Sequence, residues 1–439
     1  MHTTSAGSEA RGYFATRRRW QVALLLSLIT AIGSIDRQAM AVTAARLKEA
    51  FGLDAAHYGQ LGFAFLGAYA IGQLLSGPFV ARLGTRRALA WAAALWSLAA
   101  MGHALAAGFL GLFVARALLG LTEGPNYPTA MRAVAEWFPR AERSLAAGWV
   151  SAGTGLGLIL APPLAGGLAA AFGWQAAFLV PGAFGLLWVV YWWRFYRLPE
   201  HFPNLSPAER AIALADRYER PVAAEDGTNG AVTLRSQWQA WRRHLHRRET
   251  WGLILSRFVG DGAYYFFAFW LPLYLQTERG FSPVYVVWAA VVPFLFADLG
   301  SLAGGWAGQK LIQRGWSVDR SRKTMIWAGS LGALVAFPAA SVDSWVLALV
   351  LVSLAIGSIQ WKTASNFPLA ADLYPASDVA AVWGLSGAAG SLGGALFQLG
   401  VGALVMQFGY PAAFGVASSL CIFQALIITL MIPKVEPLK

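Results

Sequence analysis

Residues 31–42 read AIGSIDRQAMAV, and they put Asp36 and Arg37 side by side near the end of an apolar run that starts at about residue 19. Adjacent residues on a helix point about 100° apart, so these two side chains cannot satisfy one another and each needs a partner from another helix. The run 19–42 is itself long enough to cross a hydrocarbon layer of about 30 Å. A charged pair inside such a helix belongs in a bundle, turned toward a shared interior.

Eleven more apolar runs follow, near 58–80, 87–107, 109–131, 144–171, 174–196, 251–276, 283–308, 324–341, 344–370, 379–406 and 411–432. Of the 439 residues 57% are hydrophobic and only 13% charged, with a mean hydropathy of +0.51. Soluble domains carry about 25% charged residues, so a soluble fold is excluded. The expected fold is an all-α membrane protein of twelve transmembrane helices. Arg17, Arg18 and Arg19 ahead of the first run resemble the start of a secretory signal. Eleven later spans, however, need a first helix to set their orientation, which favours a retained span. Cys421 is the single cysteine and allows no internal disulfide.

The net charge of +12 is explained by topology. With the amino terminus inside, the cytoplasmic segments hold 27 of the 34 Lys and Arg residues, while the outer loops hold Arg46, Lys48 and Arg279. This is the positive-inside rule, and it predicts that both termini are cytoplasmic. No interleaved basic and aromatic strip suggests a nucleic-acid partner.

A polar gap at 198–249 splits the spans six and six. It predicts a cytoplasmic tail at 1–18, a six-helix bundle at 19–197, a charged cytoplasmic linker at 198–249 with a short surface helix after Ser206-Pro207, a second bundle at 250–433 and a tail at 434–439. Gly77-Pro-Phe-Val-Ala-Arg82-Leu-Gly after the second span matches Gly305-Trp-Ala-Gly-Gln-Lys310-Leu after the eighth. Equivalent loops suggest a duplicated six-helix unit with a substrate site near the midplane. The glycines of Gly153-Thr-Gly155-Leu-Gly157, Gly166-Gly167 and Gly387-Ala-Ala-Gly390-Ser-Leu-Gly393-Gly394 lie inside apolar spans, where they suit close helix packing and not phosphate binding. No phosphate-binding lysine loop, zinc-type histidine spacing or nucleophile triad appears, so an enzyme is not expected and neither a cofactor nor a metal is called for.

Eight ionisable residues lie within the spans: Asp36, Arg37, Arg116, Glu123, Arg257, Asp261, Asp298 and Lys362. Arg257 and Asp261 share a face and can pair with each other. Asp298 suits a tether to a neighbouring helix. Arg116 and Glu123 share a face of their helix about 10 Å apart. If the first and fourth helices both line the cavity, Asp36 is expected with Arg116 and Arg37 near Glu123.

The stretches SIDRQAMAV (34–42), RALLGLTEGPNYPTAMRAVAEWFPRAER (116–143), RFVGDGAYYFFAFWLPLYL (257–275) and NFPLAADLYP (366–375) resemble the anion:cation symporter branch of the major facilitator superfamily, and most of all its bacterial hexuronate and aldonate (D-galactonate type) transporters. The resemblance implies the major facilitator fold of two six-helix pseudo-repeats, in a monomer of the bacterial inner membrane surrounded by lipid. It implies symport of a small organic anion with H+ as the coupling ion. Asp36 and Glu123 would take protons, Arg37 the substrate carboxylate, and Arg116 would be the charge partner. Tyr69, Gln73, Asn126, Tyr264, Tyr265 and Asn366 are candidates for sugar hydroxyls. Uptake of a dicarboxylate or aromatic acid, or exchange or export of organic anions, is open on the same fold. Two departures stand out: Ala81 and Gln309 replace acids that the loops of the superfamily usually carry. Lys362 is a further departure, and two readings stay open for it. It serves structure, by pairing with an acid such as Asp261 or Asp298 or by extending its stem toward an interface, or it faces Arg37 across the cavity as a second cation for substrate.

Overall fold

The computed structural model describes residues 17–203, 205–214, 234–374 and 376–438, and all regular structure among them is helical. The amino-terminal tail up to residue 16, the middle of the linker at 215–233 and Lys439 lie outside the described residues. Among the described residues, seven helices are long and apolar enough on their own to cross a membrane, and two of these contain a sharp bend. Each bend sits at a glycine with positive φ, Gly84 (φ 72°) and Gly409 (φ 74°), a backbone that side chains with a Cβ rarely adopt. Each bent helix therefore supplies two spans.

The first six spans are α1 (Arg17–Phe51), α2 (55–83), α3 (85–102), α4 (Phe109–Glu123, resumed as Asn126–Trp137), α5 (Arg140–Phe172) and α6 (Ala176–Phe195). The second six are α7 (Arg248–Thr277), α8 (Pro283–Gln313), α9 (Val318–Ala333, drawn out by the 3-10 turn Leu334–Ala340), α10 (Trp345–Asn366), α11 (376–408) and α12 (410–431). The largest departure from expectation is in α1, which runs to Phe51 and not to about 42. Gly52, at φ 62°, ends it, and the Leu53 amide closes the last turn on the Lys48 carbonyl at 3.0 Å.

The halves repeat one another in sequence and shape. FGWQAAF (172–178) between α5 and α6 matches FGYPAAF (408–414) between α11 and α12, and Gly173 (φ 90°) takes the same left-handed turn as Gly409. The packing repeats too. In the first half α1 lies on α5 and α2 on α4; in the second, α7 lies on α11 and α8 on α10. The halves meet along α2–α11, α5–α8 and α1–α7, a set that maps onto itself when the halves are exchanged. Glycines of the clusters bring helices close within each half, with Gly153 and Gly157 of α5 against Ser27 and Ala31 of α1 and Gly393 of α11 against Phe258 of α7, whereas Gly167 meets no other helix.

The expected helix after Ser206-Pro207 is Pro207–Leu214, but it is not simply a solvated surface element. Its Glu209 is 3% exposed and accepts the backbone amides of Arg18 and Arg19 at 2.9 Å each, capping α1. The buried Arg19 then reaches Glu142 at the start of α5 (3.0 Å). This part of the linker fixes where α1 begins, and so where Asp36 and Arg37 come to lie.

Candidate functional site

α4 is interrupted at Gly124-Pro125, where Gly124 packs onto the backbone of Gly72 and Gln73 in α2. The interruption leaves Glu123 at the end of a helical segment, facing α1. Gly33 makes the room, since a Cβ there would stand 3.0 Å from Glu123 Oε1. Glu123 is 1% exposed, and its Oε1 forms an ion pair with Arg37 Nε at 3.2 Å. Arg37 also donates to Ser34 Oγ at 3.0 Å. Its side chain keeps 22% exposure, the most open charge of the cluster.

The expected pairing of Asp36 with Arg116 is not present. Asp36 is 1% exposed, and neither of its carboxylate oxygens has a hydrogen-bond partner among the described residues. Arg116 lies instead over the rings of Phe65 (4.5 Å) and Phe269 (5.7 Å), with its Nε and Nη1 unbonded. Aromatic faces from α2 and α7 have taken the place that a carboxylate was expected to fill. The centre is thus one ion pair across α1 and α4, flanked by an acid without a partner and a cation held by rings.

Tyr69 and Gln73 on α2, and Tyr264 and Tyr265 on α7, are each half-buried, and the three tyrosines are near enough to Arg37 to feel its charge. Gln73 links the halves by accepting Ser391 Oγ of α11 at 3.1 Å. Asn126 opens the helical segment after the break of α4 and Asn366 closes α10, each buried with an Oδ1 that has no hydrogen-bond partner among the described residues. Neither open reading of Lys362 describes its position. It is 2% exposed and points into the second half toward α12, where its Nζ donates to Gln424 Oε1, with Cys421 close by. Asp261 is engaged by Arg257 at 3.0 Å, as expected, and Asp298 lies against Gly155 of α5 across the boundary between the halves.

At the end of the bundle away from the linker the halves interlock. Tyr58 of α2 donates to the Phe269 carbonyl of α7 (2.7 Å) and Gly59 lies directly on the Gln398 carbonyl of α11, while Trp270 of α7 donates to Gln398 within the second half (2.6 Å). The space between Arg37, Arg116 and this seal shrinks to about 10 Å³, room for one water at most. Toward the linker end the contact is thinner, a stack of Tyr127 on Trp383 at 6.1 Å.

Residues 26–316 match the family model described as Major Facilitator Superfamily. The chain belongs to the major facilitator superfamily. This facilitator is 30% identical to the hexuronate transporter of Escherichia coli (strain K12), over 93% of each chain, and 30% identical to the D-galactonate transporter of Escherichia coli O6:H1, over 96% of this chain and 97% of that one. Its fold resembles that of a bacterial homolog to the human lysosomal transporter Spinster in an inward-facing, occupied conformation, with a TM-score of 0.73 at 18% identity over 96% and 98% of the two chains. It is a multi-pass membrane transporter and not an enzyme. In this facilitator, sequence reasoning missed Ser391, Gln398, Trp383 and Gln424, all of which tie helices together at or near the site. The available signal was a polar or indole side chain in an otherwise apolar span.

Proposed function

We propose that the protein takes up a sugar-acid anion, a hexuronate or an aldonate, together with protons by alternating access. It would act in the inner membrane of a bacterium with both termini in the cytoplasm. One observation carries the reading: Arg37 holds Glu123 across α1 and α4 while Asp36 beside it is buried with no hydrogen-bond partner among the described residues. A substrate carboxylate and Glu123 compete for the same guanidinium. Binding of the anion to Arg37 is favourable only if Glu123 leaves with a proton, because an unpaired buried carboxylate costs several kcal/mol, on the order of 3–5 when its partner is removed. Substrate and proton are therefore linked through one cation. Asp36 supplies a second proton position, and the half-buried tyrosines with Gln73 and the two asparagines supply a polar wall for hydroxyls. The two relatives named for hexuronate and D-galactonate support this substrate class.

The test is uptake into proteoliposomes. Uptake of glucuronate, galacturonate or galactonate should follow an imposed inward pH gradient, and, with two protons per monoanion, should also gain about 2.3 kcal/mol per 100 mV of inside-negative potential. Counterflow that ignores the pH gradient would make the protein an exchanger. Indifference to potential at a fixed pH gradient would reduce the coupling to one proton.

A further inference from the structure

A second pocket, of about 480 Å³, opens at the linker end of the first half, between the ends of α2, α3, α4 and α6. It is far richer in cations than in acids. Arg86, Arg87, Arg132 and Arg197 line it with His201, and Glu136 is the one acid among the lining residues. Glu136 is already spent on its neighbours. It is 8% exposed and accepts Thr85 Oγ1 (2.8 Å), Arg132 Nε (3.1 Å) and the Tyr196 hydroxyl (2.6 Å). The loop position before Arg82 is uncharged Ala81 and contributes nothing to the balance.

Arg86, Arg87 and Arg197 make no ion pair with another lining residue of the pocket. Arg86 lies over the Trp193 ring at 5.2 Å and donates to the Trp193 carbonyl, while its buried Nε has no hydrogen-bond partner. Arg87 and Arg197 are near enough to repel it, and both are exposed. Like charges gathered around a cavity in excess of its one acid favour an anion there.

The surroundings say which kind of anion. Below Arg87 on α3, residues Trp91, Leu95 and Leu98 are spaced by four, four and three, and all three are exposed. They form one stripe running from the pocket into the apolar part of the helix. α6 adds exposed Val190 and Trp193 at the same depth. Tryptophan at the rim of an apolar stripe marks the level of the lipid headgroups. A soluble anion would use the pocket and leave the stripe unused. A phospholipid uses both, with its phosphate among the arginines and an acyl chain along Trp91, Leu95 and Leu98.

We propose that this pocket is a binding site for the headgroup of an anionic phospholipid of the leaflet on the linker side. Basic pockets between transmembrane helices on that side are suited to such headgroups. The site is separate from Arg37 and Glu123, and it does not depend on which substrate the protein carries.

The experiment compares phosphatidylglycerol, phosphatidylcholine and inorganic phosphate as probes on the purified full chain in an uncharged detergent. Native mass spectra and thermal midpoints are read for the wild type, for Arg87→Gln/Arg197→Gln, and for a control that removes the same charge elsewhere, Lys310→Gln/Arg314→Gln. Phosphatidylglycerol should be retained and should raise the midpoint, whereas phosphatidylcholine and phosphate should do neither. The Arg87/Arg197 variant should bind phosphatidylglycerol about thirtyfold more weakly, the equivalent of about 1 kcal/mol for each of the two cations removed, and the control should bind as the wild type does. Equal weakening in the control would reduce the effect to net charge and overturn the site. Wild-type affinity in the Arg87/Arg197 variant would overturn it as well. The same midpoint shift from phosphate alone would show a soluble anion to be the ligand and overturn the lipid assignment.

Discussion

An Asn-aromatic-Pro triplet stands at the break of α4 (126–128) and again at the end of α10 (366–368), yet the two halves place different chemistry three residues before it. The first half has Glu123, which reaches out to Arg37 on another helix. The second has Thr363, whose hydroxyl folds back onto the Ile359 carbonyl of its own helix at 2.8 Å. The charged pairs repeat the contrast. Asp36 and Arg37 are adjacent and cannot close on each other, whereas Arg257 and Asp261 are four apart and do, at 3.0 Å, with Arg257 further held over Phe367 and Trp383. A pair that bridges helices depends on where those helices stand and on what competes for either partner. A pair closed within one helix is indifferent to both. On this comparison, the proton coupling proposed above would lie in the first half, with the second half supplying packing and the Tyr264 and Tyr265 side of the aromatic wall.

The strongest way to break that comparison is to neutralise the two equivalent positions. Glu123→Gln keeps the shape of the protonated acid and removes the exchangeable proton. Accumulation driven by a pH gradient should fall at least about a hundredfold, more than 2.7 kcal/mol of driving force, while counterflow of substrate stays measurable. Thr363→Val should leave both within about twofold, since it deletes a hydroxyl that bonds only its own helix. Comparable loss of pH-driven accumulation in the two variants would place coupling in both halves.

Much of this was legible in the sequence, and the misses share one cause. Twelve spans follow from apolar runs, and the need of Asp36 and Arg37 for partners on other helices follows from their adjacency. The pairing of Arg37 with Glu123 was also anticipated from the α4 spacing. What failed was the pairing of Asp36 with Arg116. Charge arithmetic suggests it, but the rings of Phe65 and Phe269, from two other helices, meet Arg116 first. Which helix face meets which is set by small-residue crossings such as Gly72 on Gly124, and a single helix carries no record of its neighbour's register. The repeat FGWQAAF and FGYPAAF was there to be read and marks the duplication more firmly than the loop motif does.

The comparison between halves also assumes that each moves as a body, and the α2–α11 crossing tests this. Gly59 lies on the Gln398 carbonyl with no space for a Cβ, and Gly402 packs on Ala55 and Ala56. Gly59→Val should therefore prop open the end away from the linker and leave the packing within each half intact. The buried Cys421 gives a quiet background for a reporter cysteine at Gln398. Labelling of that cysteine by an impermeant maleimide should rise about tenfold in the Gly59→Val background, a shift of about 1.4 kcal/mol in the population of the opened state. Unchanged labelling with normal folding would mean that the halves do not separate along this seam.

Lys362 sharpens the comparison from the other side, with a smaller effect. A lysine facing Arg37 across the cavity would favour substrates with two anionic ends, and its removal would then penalise dicarboxylates more than monocarboxylates. Its ammonium instead meets the neutral Gln424 amide inside the second half, with Gly329 of α9 behind its backbone and Gly260 of α7 making room for Gln424. Removing it orphans one buried amide, which costs about 1–3 kcal/mol, but also removes a buried cation whose partner carries no charge. The two effects oppose. Lys362→Met should lower stability by only about 1 kcal/mol, and Lys362→Met/Gln424→Leu, which leaves nothing unpaired, should regain it. Affinities for glucuronate and for the dicarboxylate glucarate should change by the same factor in both variants. A selective loss for glucarate would draw Lys362 into the substrate path and move half of the anion recognition out of the first half.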